Sequence, residues 1–538
     1  MKSLPTGAQR RRRLATRTLP LSIVALVAFA LGASAGAPGS SEKETAERFA
    51  AAWERGDFAA MYRELNVPSR RATGVAEFVA AYRTAAQVAT LRGVEAQSPR
   101  DPVEADGKSL VAVPVEATTL AFGTVVLDLD LPFAEGGIAW QPHLVFPGLA
   151  PEEHLENELD FARRAPVLAR DGKPLAEEPG GPREHLEEAF DARLAGRPGG
   201  SLLAVADAGG SARILAQAEP RPGVPVKTTI DPELQAATAA ALAGRPGGVA
   251  VLDARNGDVR ALAGQAFSAP QPPGSTFKVI TTAAALQEDA VSLADTFEVS
   301  DGINVGGRFI SNANGEFCGG TFAEAFAESC NADFAPLGPE VGNDDLVATA
   351  ERFGFNSPPA LYGSRVVRDL ELPASTIPEE IGTDLDLGVS AIGQGEVLAT
   401  PLQMASVAQT VAGGGVRRPT SIVANRKLRP DAAPVRVMSR RMAADLTDLM
   451  VGVVAGGTGT AGAIAEAQVA GKTGTAELGP EPGQEDEPEP IQIKNAWFIA
   501  FAPAEKPRLA VAVALFDAGA SGGEVAAPTA AQVLSAGL

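Results

Sequence analysis

Ser275 and Lys278 stand three residues apart in Pro273-Gly274-Ser275-Thr276-Phe277-Lys278-Val279-Ile280. Pro272, Pro273 and Gly274 break regular structure, and the nearly uncharged run that follows predicts a helix over 276–286. On such a helix, positions i and i+3 lie on one face about one turn apart, so the Lys278 amine can reach the Ser275 hydroxyl. Apolar surroundings disfavour the charged ammonium and lower its pKa, which a base acting near neutrality requires. The pair reads as a nucleophile beside its base.

That pattern is weak alone, and the chain holds its own control. Pro38-Gly39-Ser40-Ser41-Glu42-Lys43 repeats it in a polar linker ahead of a charged helix. Only Ser275 has partners in chain order: Ser329-Cys330-Asn331, then Lys472-Thr473-Gly474-Thr475. The three tracts in this order resemble the motif set of penicillin-binding proteins and class A β-lactamases, with Cys330 where aspartate is often found.

At 538 residues the chain exceeds one ordinary core, so two or three domains are expected. With 45% hydrophobic and 21% charged residues it is globular rather than disordered. A formal net charge of −20 argues against nucleic acid as a partner. His143, His154 and His185 all precede Ser275 and do not cluster, so a Ser-His-Asp triad or a metal centre has little to be built from, and no cofactor is implied. Cys318 and Cys330 are the only cysteines; a disulfide bracing the loop that presents Asn331 and a pair of buried thiols both fit the sequence.

Arg10, Arg11, Arg12, Arg13 and Arg17 precede an uncharged, mostly apolar stretch over 19–37, about the length that spans a bilayer. Positive flanks stay inside, so the rest is expected outside, held to the cell membrane by one N-terminal anchor. Ala33-Ser34-Ala35 resembles a signal-peptidase site, so secretion after cleavage competes with the preferred uncleaved anchor.

Over 41–149 the pattern is helices, then strands. Ala46, Phe49, Ala50 and Trp53 fall at helical spacing, helices continue over 57–65 and 75–88, and strands are predicted over 109–115, 118–131 and 137–145. Phe49-x-x-x-Trp53-x-x-Gly56-Asp57, with Trp140-x-Pro142 ahead of Phe146-Pro147, resembles the cone-shaped domain of the nuclear-transport-factor-like superfamily, read here as a spacer. Residues 164–176 resemble the Arg-Gly-x-Ile-x-Asp-Arg-Asn-Gly-x-x-Leu-Ala segment of class B penicillin-binding proteins, with Ala165 in place of glycine. Loops at 179–182 and 196–200 leave little room for the usual pedestal.

Further on, a helix is predicted from Ile230 or Asp231, then strands over 248–252 and 258–262 joined by Arg255-Asn256-Gly257. Thr321-Phe322-Ala323-Glu324 is a capping box opening a helix that ends near Ser329. Gly393-Gln394-Gly395 and Thr400-Pro401-Leu402-Gln403-Met404 precede a helix ending at 413–415. Residues 469–476 form the strand carrying Lys472, with 495–502 and 509–516 beside it. Between them 479–490, rich in Pro, Glu and Asp, reads as a solvated loop rather than a strand, a lid or docking tip being the sharper alternative.

The resemblance to class B penicillin-binding proteins is strong over 226–538 and looser over 41–176. It implies a multidomain α+β chain: a basic tip and membrane segment over 1–40, an α+β cone over 41–149, a small pedestal over 150–226, and over 227–538 a β-lactamase-like penicilloyl-serine transpeptidase domain with a central antiparallel sheet flanked by helices. It further implies a D,D-transpeptidase cross-linking peptidoglycan stem peptides. Ser275 would attack the penultimate D-alanine carbonyl, Lys278 would take its proton, and Ser329 would relay it to the leaving amine. Asn331 would hold the acyl-side amide. Lys472 would lower the pKa of Lys278 by like-charge repulsion and, with the Thr473 and Thr475 hydroxyls, draw in the terminal carboxylate. Gly474 would leave the strand bare for an extended peptide, and the N–H groups of Ser275 and Thr475 would form the oxyanion hole. β-Lactam antibiotics would acylate the same serine, and other cell-wall synthesis proteins are implied partners in cell division or cell shape. The alternatives are a serine β-lactamase, a D,D-carboxypeptidase, or a non-catalytic β-lactam receptor or scaffold. No Glu-x-x-Leu-Asn segment of the class A β-lactamase type lies between Asn331 and Lys472, which disfavours fast β-lactam hydrolysis.

Overall fold

The computed structural model describes residues 38–105, 108–178, 180–210, 212–363, 372–480 and 492–538. The expected membrane segment over 19–37 and nearly all of the acidic loop lie outside them; no helix among the described residues is long and apolar enough to cross a membrane. The chain divides into two compact units, one of residues up to Ala162 with Arg197–Arg221, the other of Arg163–Gly196 with Pro222–Leu538.

In the first unit, α1 (Pro38–Glu54) buries Ala46, Phe49, Ala50 and Trp53, the face their spacing predicts. The helix already begins at Pro38, so the control tract is helical rather than a linker, and Lys43 is spent on a surface ion pair with Asp101 at 2.8 Å. Asp57 caps α2 (Phe58–Arg63) by accepting the Ala60 N–H. Phe78 and Tyr82 of α3 (Val75–Val88) meet Trp140 and Trp53 with ring centroids 5.1 and 5.8 Å apart. This aromatic floor lies under a curled sheet of β1 (Leu91–Ala96), β2 (Val103–Ala105), β3 (Lys108–Thr119), β4 (Thr124–Ala134) and β5 (Gly137–Ile138), ordered 1-3-4-5 with β2 on β3. Val111, Val113, Val115 and Ala117 alternate inward along β3.

Two expected strands are interrupted here. Over 118–131 the Thr119 hydroxyl accepts the Phe122 N–H and donates to the Gly123 carbonyl, making a turn between β3 and β4. Over 137–145 only Gly137 and Ile138 pair, and Pro142–Val145 closes into a 3₁₀ turn.

Residues 150–226, expected as one pedestal, serve both units. Strands β6 (Glu153–Asp160), β7 (Gly199–Ala206) and β8 (Ala212–Ala218) form a sheet in the first unit. The intervening stretch belongs to the second, where Val167–Leu168 pairs in parallel with Val226–Lys227 and Arg170 meets Asp231 at 2.9 Å.

The second unit is a three-layer α/β/α body. Helix α4 (Pro232–Leu242), N-capped by Asp231, precedes β9 (Gly247–Asp253) and β10 (Val259–Gly264). After the helices come β11 (Ala470–Pro480), β12 (Gln492–Ala502) and β13 (Leu509–Leu515). The sheet is antiparallel throughout, ordered β10-β9-β13-β12-β11. Its strands are apolar on both faces because both are covered. Val249, Val251, Phe498, Ala500, Val511 and Val513 face one layer, with Leu234 of α4 and Val533 and Leu534 of the C-terminal helix. Ala250, Leu252, Trp497, Ile499 and Phe501 face the other. Full burial of each such large side chain in β12 contributes roughly 1.5–3 kcal/mol. β11 is an edge strand and runs on through Gly479 to Pro480, which pairs with Gln492 beyond an irregularity in register rather than joining the loop.

Candidate active site

Ser275 lies on a single 3₁₀ turn, Gly274–Phe277, that runs into α5 (Lys278–Gln287), so the expected helix begins two residues late. The turn is held from several sides. Thr276 donates its hydroxyl proton to the Pro273 carbonyl at 2.8 Å, and the Gly274 N–H reaches the Gly393 carbonyl at 2.9 Å. Gly274 adopts φ +52°, a left-handed conformation that glycine tolerates.

The turn presses against β11. A Cβ on Gly474 would sit 2.6 Å from the Pro273 carbonyl oxygen and 2.9 Å from Thr276 Cγ2. The bare α-carbon at 474 therefore admits the nucleophile turn, a use different from the expected one of leaving room for a peptide. Gly474→Ala is expected to separate turn from strand, slowing serine acylation at least ~10-fold and lowering Tm by several degrees, in line with overpacking costs of about 1–3 kcal/mol. Stopped-flow acylation and a thermal melt check it; wild-type values in both would refute the packing argument.

Helix α6 (Phe322–Glu328) starts at the expected capping box, the Thr321 hydroxyl and Glu324 carboxylate each satisfying the other's backbone N–H. It ends on Ser329 at φ +65°, ψ 38°, a conformation uncommon for a residue with a side chain. Both lysines bond this residue. Lys278 Nζ donates to the Ser329 carbonyl at 2.7 Å and to Asn331 Oδ1 at 2.8 Å, and lies 3.5 Å from Ser329 Oγ. Lys472 Nζ donates to Ser329 Oγ at 2.7 Å and to the Thr473 carbonyl at 3.3 Å. The expected Lys278–Ser275 hydrogen bond is not formed among the described residues: the lysine's short contacts go to the Ser329–Asn331 turn.

Both amines are wholly buried, whereas Ser275, Ser329, Asn331 and Thr475 are each partly exposed. The hydroxyls thus line the surface with the lysines behind them. Burial drives the Lys278 pKa well down, and the Lys472 charge pushes the same way against the opposing pull of Asp333. Burial also lowers Lys472, to about 7, with Glu328 opposing. Phe334 and Phe326 lie under the two amines, ring centroids 5.2 and 5.6 Å away. A neutral Lys278 amine has two N–H donors, both taken by short bonds, and a lone pair left over for a proton.

The remaining sequence-predicted residues gather at the same place. Asn331 opens the single turn α7 (Asn331–Phe334), and while Oδ1 holds Lys278, its Nδ2 donates to the Ser311 carbonyl at 2.9 Å. Its amide thus already ties Lys278 to the hairpin over 302–311 before any substrate arrives. Cys318 and Cys330 are disulfide-bonded, Cα atoms 5.9 Å apart, joining the strand Cys318–Thr321 to the residue between Ser329 and Asn331. Thr473 is buried, its hydroxyl hydrogen-bonded to that of Thr458 at 2.6 Å, so the two threonines are not equivalent in reach. Thr475 Oγ1 accepts the Gly522 N–H at 3.2 Å and keeps its own proton for an acceptor.

The Thr475 carbonyl faces Gln394 Nε2 at 3.5 Å, on the unpaired side of β11. In an antiparallel strand, a residue's N–H points the same way as its carbonyl, so the Thr475 N–H shares that open edge. Thr458, Gly522 and Asp333 were not singled out by sequence reasoning. The first two follow apolar or glycine-rich loops with no distinguishing pattern, but Asp333, the one charge in Ala332-Asp333-Phe334-Ala335, was visible as an acid in an apolar run.

Residues 247–535 match the family model described as penicillin binding protein transpeptidase domain, and residues 41–153 match that of the NTF2-like N-terminal transpeptidase domain. Peptidoglycan D,D-transpeptidase PbpA of Mycolicibacterium smegmatis is 40% identical over 299 residues, 52% of this chain and 57% of that protein. Its counterpart in Mycobacterium tuberculosis is 38% identical over 296 residues, again 52% and 57%. The aligned part spans little more than half the length of these curated relatives. Among solved structures, a ceftriaxone acyl-enzyme complex of penicillin-binding protein A from M. tuberculosis superimposes with TM-score 0.51 at 32% identity, covering 59% of this chain and 81% of that one. The D,D-transpeptidase domain of a peptidoglycan glycosyltransferase from Eggerthella lenta gives 0.57 at 28%, covering 70% and 98%.

Proposed function

This chain belongs to the penicillin-binding protein transpeptidase family, and from that premise we propose that it cross-links peptidoglycan stem peptides through an acyl-enzyme on Ser275 and is blocked when a β-lactam acylates the same oxygen. One observation carries the reading: two buried lysines converge on Ser329, one of them with both amine donors committed and its lone pair free. Ser275 Oγ bonds the penultimate D-alanine carbonyl carbon while its proton passes to Lys278. The oxyanion meets the N–H groups of Ser275 and Thr475. Ser329 Oγ, 2.7 Å from Lys472, hands a proton to the departing D-alanine amine. An incoming stem-peptide amine then takes the acyl group. Lys472 is wholly buried, so a terminal carboxylate arriving at the Thr475 hydroxyl feels its charge across the strand rather than at contact.

In the same proposal the first unit is a spacer, and residues 19–37 hold the protein to the outer face of the cell membrane. The test is purified protein with fluorescent penicillin, then with stem pentapeptide and an acceptor amine. A label lasting hours and an amine-dependent cross-linked product support the reading. Shedding of label within seconds turns it into a β-lactamase, and absence of label into a scaffold.

The buried Lys472 sets a pH dependence. With its pKa pulled down to about 7, the ammonium that attracts the carboxylate disappears as pH rises through that value. The second-order acylation constant is therefore expected to fall on the alkaline side with a limb near pH 7, since that constant reports the free enzyme. A carboxylate bound nearby favours the charged form, so the limb in the saturated rate lies higher. A second-order constant that climbs steadily from pH 6 to 9 would contradict this role for Lys472.

A further inference from the structure

One buried acid next to the reacting groups has no part in the steps above. Asp333 stands on α7 between two residues that meet Lys278: Asn331, through Oδ1 at 2.8 Å, and Phe334, whose ring centroid lies 5.2 Å from Nζ. It is 6% exposed, and its Oδ2 is buried with no hydrogen-bond partner among the described residues. An ionised oxygen in that condition is costly until a counter-charge appears beside it. Burial raises the carboxyl to about 6 against the opposing pull of the Lys278 charge. Asp333 in turn raises Lys278 against burial and against Lys472, itself raised by Glu328. The elements packed on α7 are the hairpin over 302–311, the strand Cys318–Thr321 and the helix Leu337–Val341. Their ionisable side chains are Arg308 and Glu340.

We propose that Asp333 is a positioning residue for acyl transfer, its carboxylate supplying the counter-charge for the ammonium that Lys278 becomes on taking the Ser275 proton. The inference rests on the acyl-serine reading given above. In that step the Ser275 Oγ–H bond breaks, Oγ bonds the carbonyl carbon, the π pair moves onto the carbonyl oxygen, and the proton joins the Lys278 lone pair. No proton enters or leaves Asp333. The step places a new charge on a wholly buried amine and another on the carbonyl oxygen, and each needs a fixed partner: the oxyanion has two backbone N–H groups, and the ammonium has Asp333.

The experiment is second-order acylation by fluorescent penicillin from pH 5 to 9, for wild type and Asp333→Asn, with folding checked by circular dichroism. Removing the carboxylate makes Lys278 a weaker base that stays neutral to lower pH. The expected result is a plateau about 10- to 100-fold lower together with an acid limb displaced downward in pH. A lower plateau with the limb unmoved shows a merely structural role and overturns the proposal, as does an unchanged profile. If Asp333→Asn does not fold, Asp333→Ser removes the same charge with a smaller side chain and carries the same expectation. Wild type that never acylates defeats the acyl-serine reading itself, whereas a labelled wild type with an unshifted variant defeats the role of Asp333 alone.

Discussion

Ser275→Ala forms no covalent adduct with fluorescent penicillin, while wild type under the same conditions is labelled once per chain and holds the label for hours. The expected loss in acylation rate is at least ~10⁴-fold, because removing the nucleophile of a covalent mechanism leaves only binding and electrostatic stabilisation. The substitution deletes one partly exposed hydroxyl and leaves the features that shape the turn untouched: the Thr276–Pro273 hydrogen bond, the Gly274–Gly393 contact and the bare α-carbon at 474. Its melting temperature is therefore expected to stay within a few degrees of wild type. Intact-mass spectrometry and a fluorescent gel check the outcome. Persistent label on the alanine variant would move the nucleophile elsewhere, Ser329 being the obvious candidate by position.

Lys278→Met has the second largest expected effect, a fall in acylation of roughly 10²–10⁴-fold with Ser275 intact. Methionine nearly matches the buried stem and keeps the contact with Phe334, but it carries no lone pair. The Ser329 carbonyl and Asn331 Oδ1 lose their donor, which costs stability, while removal of an amine held in a dry site restores some. The pH profile separates base catalysis from general damage: the wild-type acid limb, which tracks neutral Lys278, is expected to vanish in the variant. Raising the pH to 9 is not expected to recover the rate. A variant retaining the limb would assign it to another group.

How much of this was readable beforehand varied with the range of the interaction. Elements set by local chemistry were legible: the capping box at Thr321 and Glu324, the helix start at Ile230 or Asp231, and the strands around Lys472 and Trp497. The gathering of Ser275, Ser329 and Lys472 followed from motif order. What depended on distant partners was not legible. Residues 150–226 look like one loop-rich piece in sequence, yet β6 finds its mate at 199–206, which in turn pairs with 212–218, while Val167 finds its own at Val226. Helical spacing predicts a Lys278–Ser275 hydrogen bond, but the amine's short bonds go instead to the acceptors offered by Ser329 and Asn331. Residue type likewise did not reveal that Gly474 accommodates a neighbouring turn.

The left-handed backbone at Ser329 narrows evolutionary drift at that position more than its chemistry does. The proposed relay there needs only an alcohol, and threonine would be the cheapest replacement, but a β-branched side chain at φ +65° crowds its own carbonyl. Residues that sit comfortably in such a turn, glycine and asparagine, carry no hydroxyl. On the proposed mechanism, the walls around this alcohol are therefore free to vary far more than the alcohol itself.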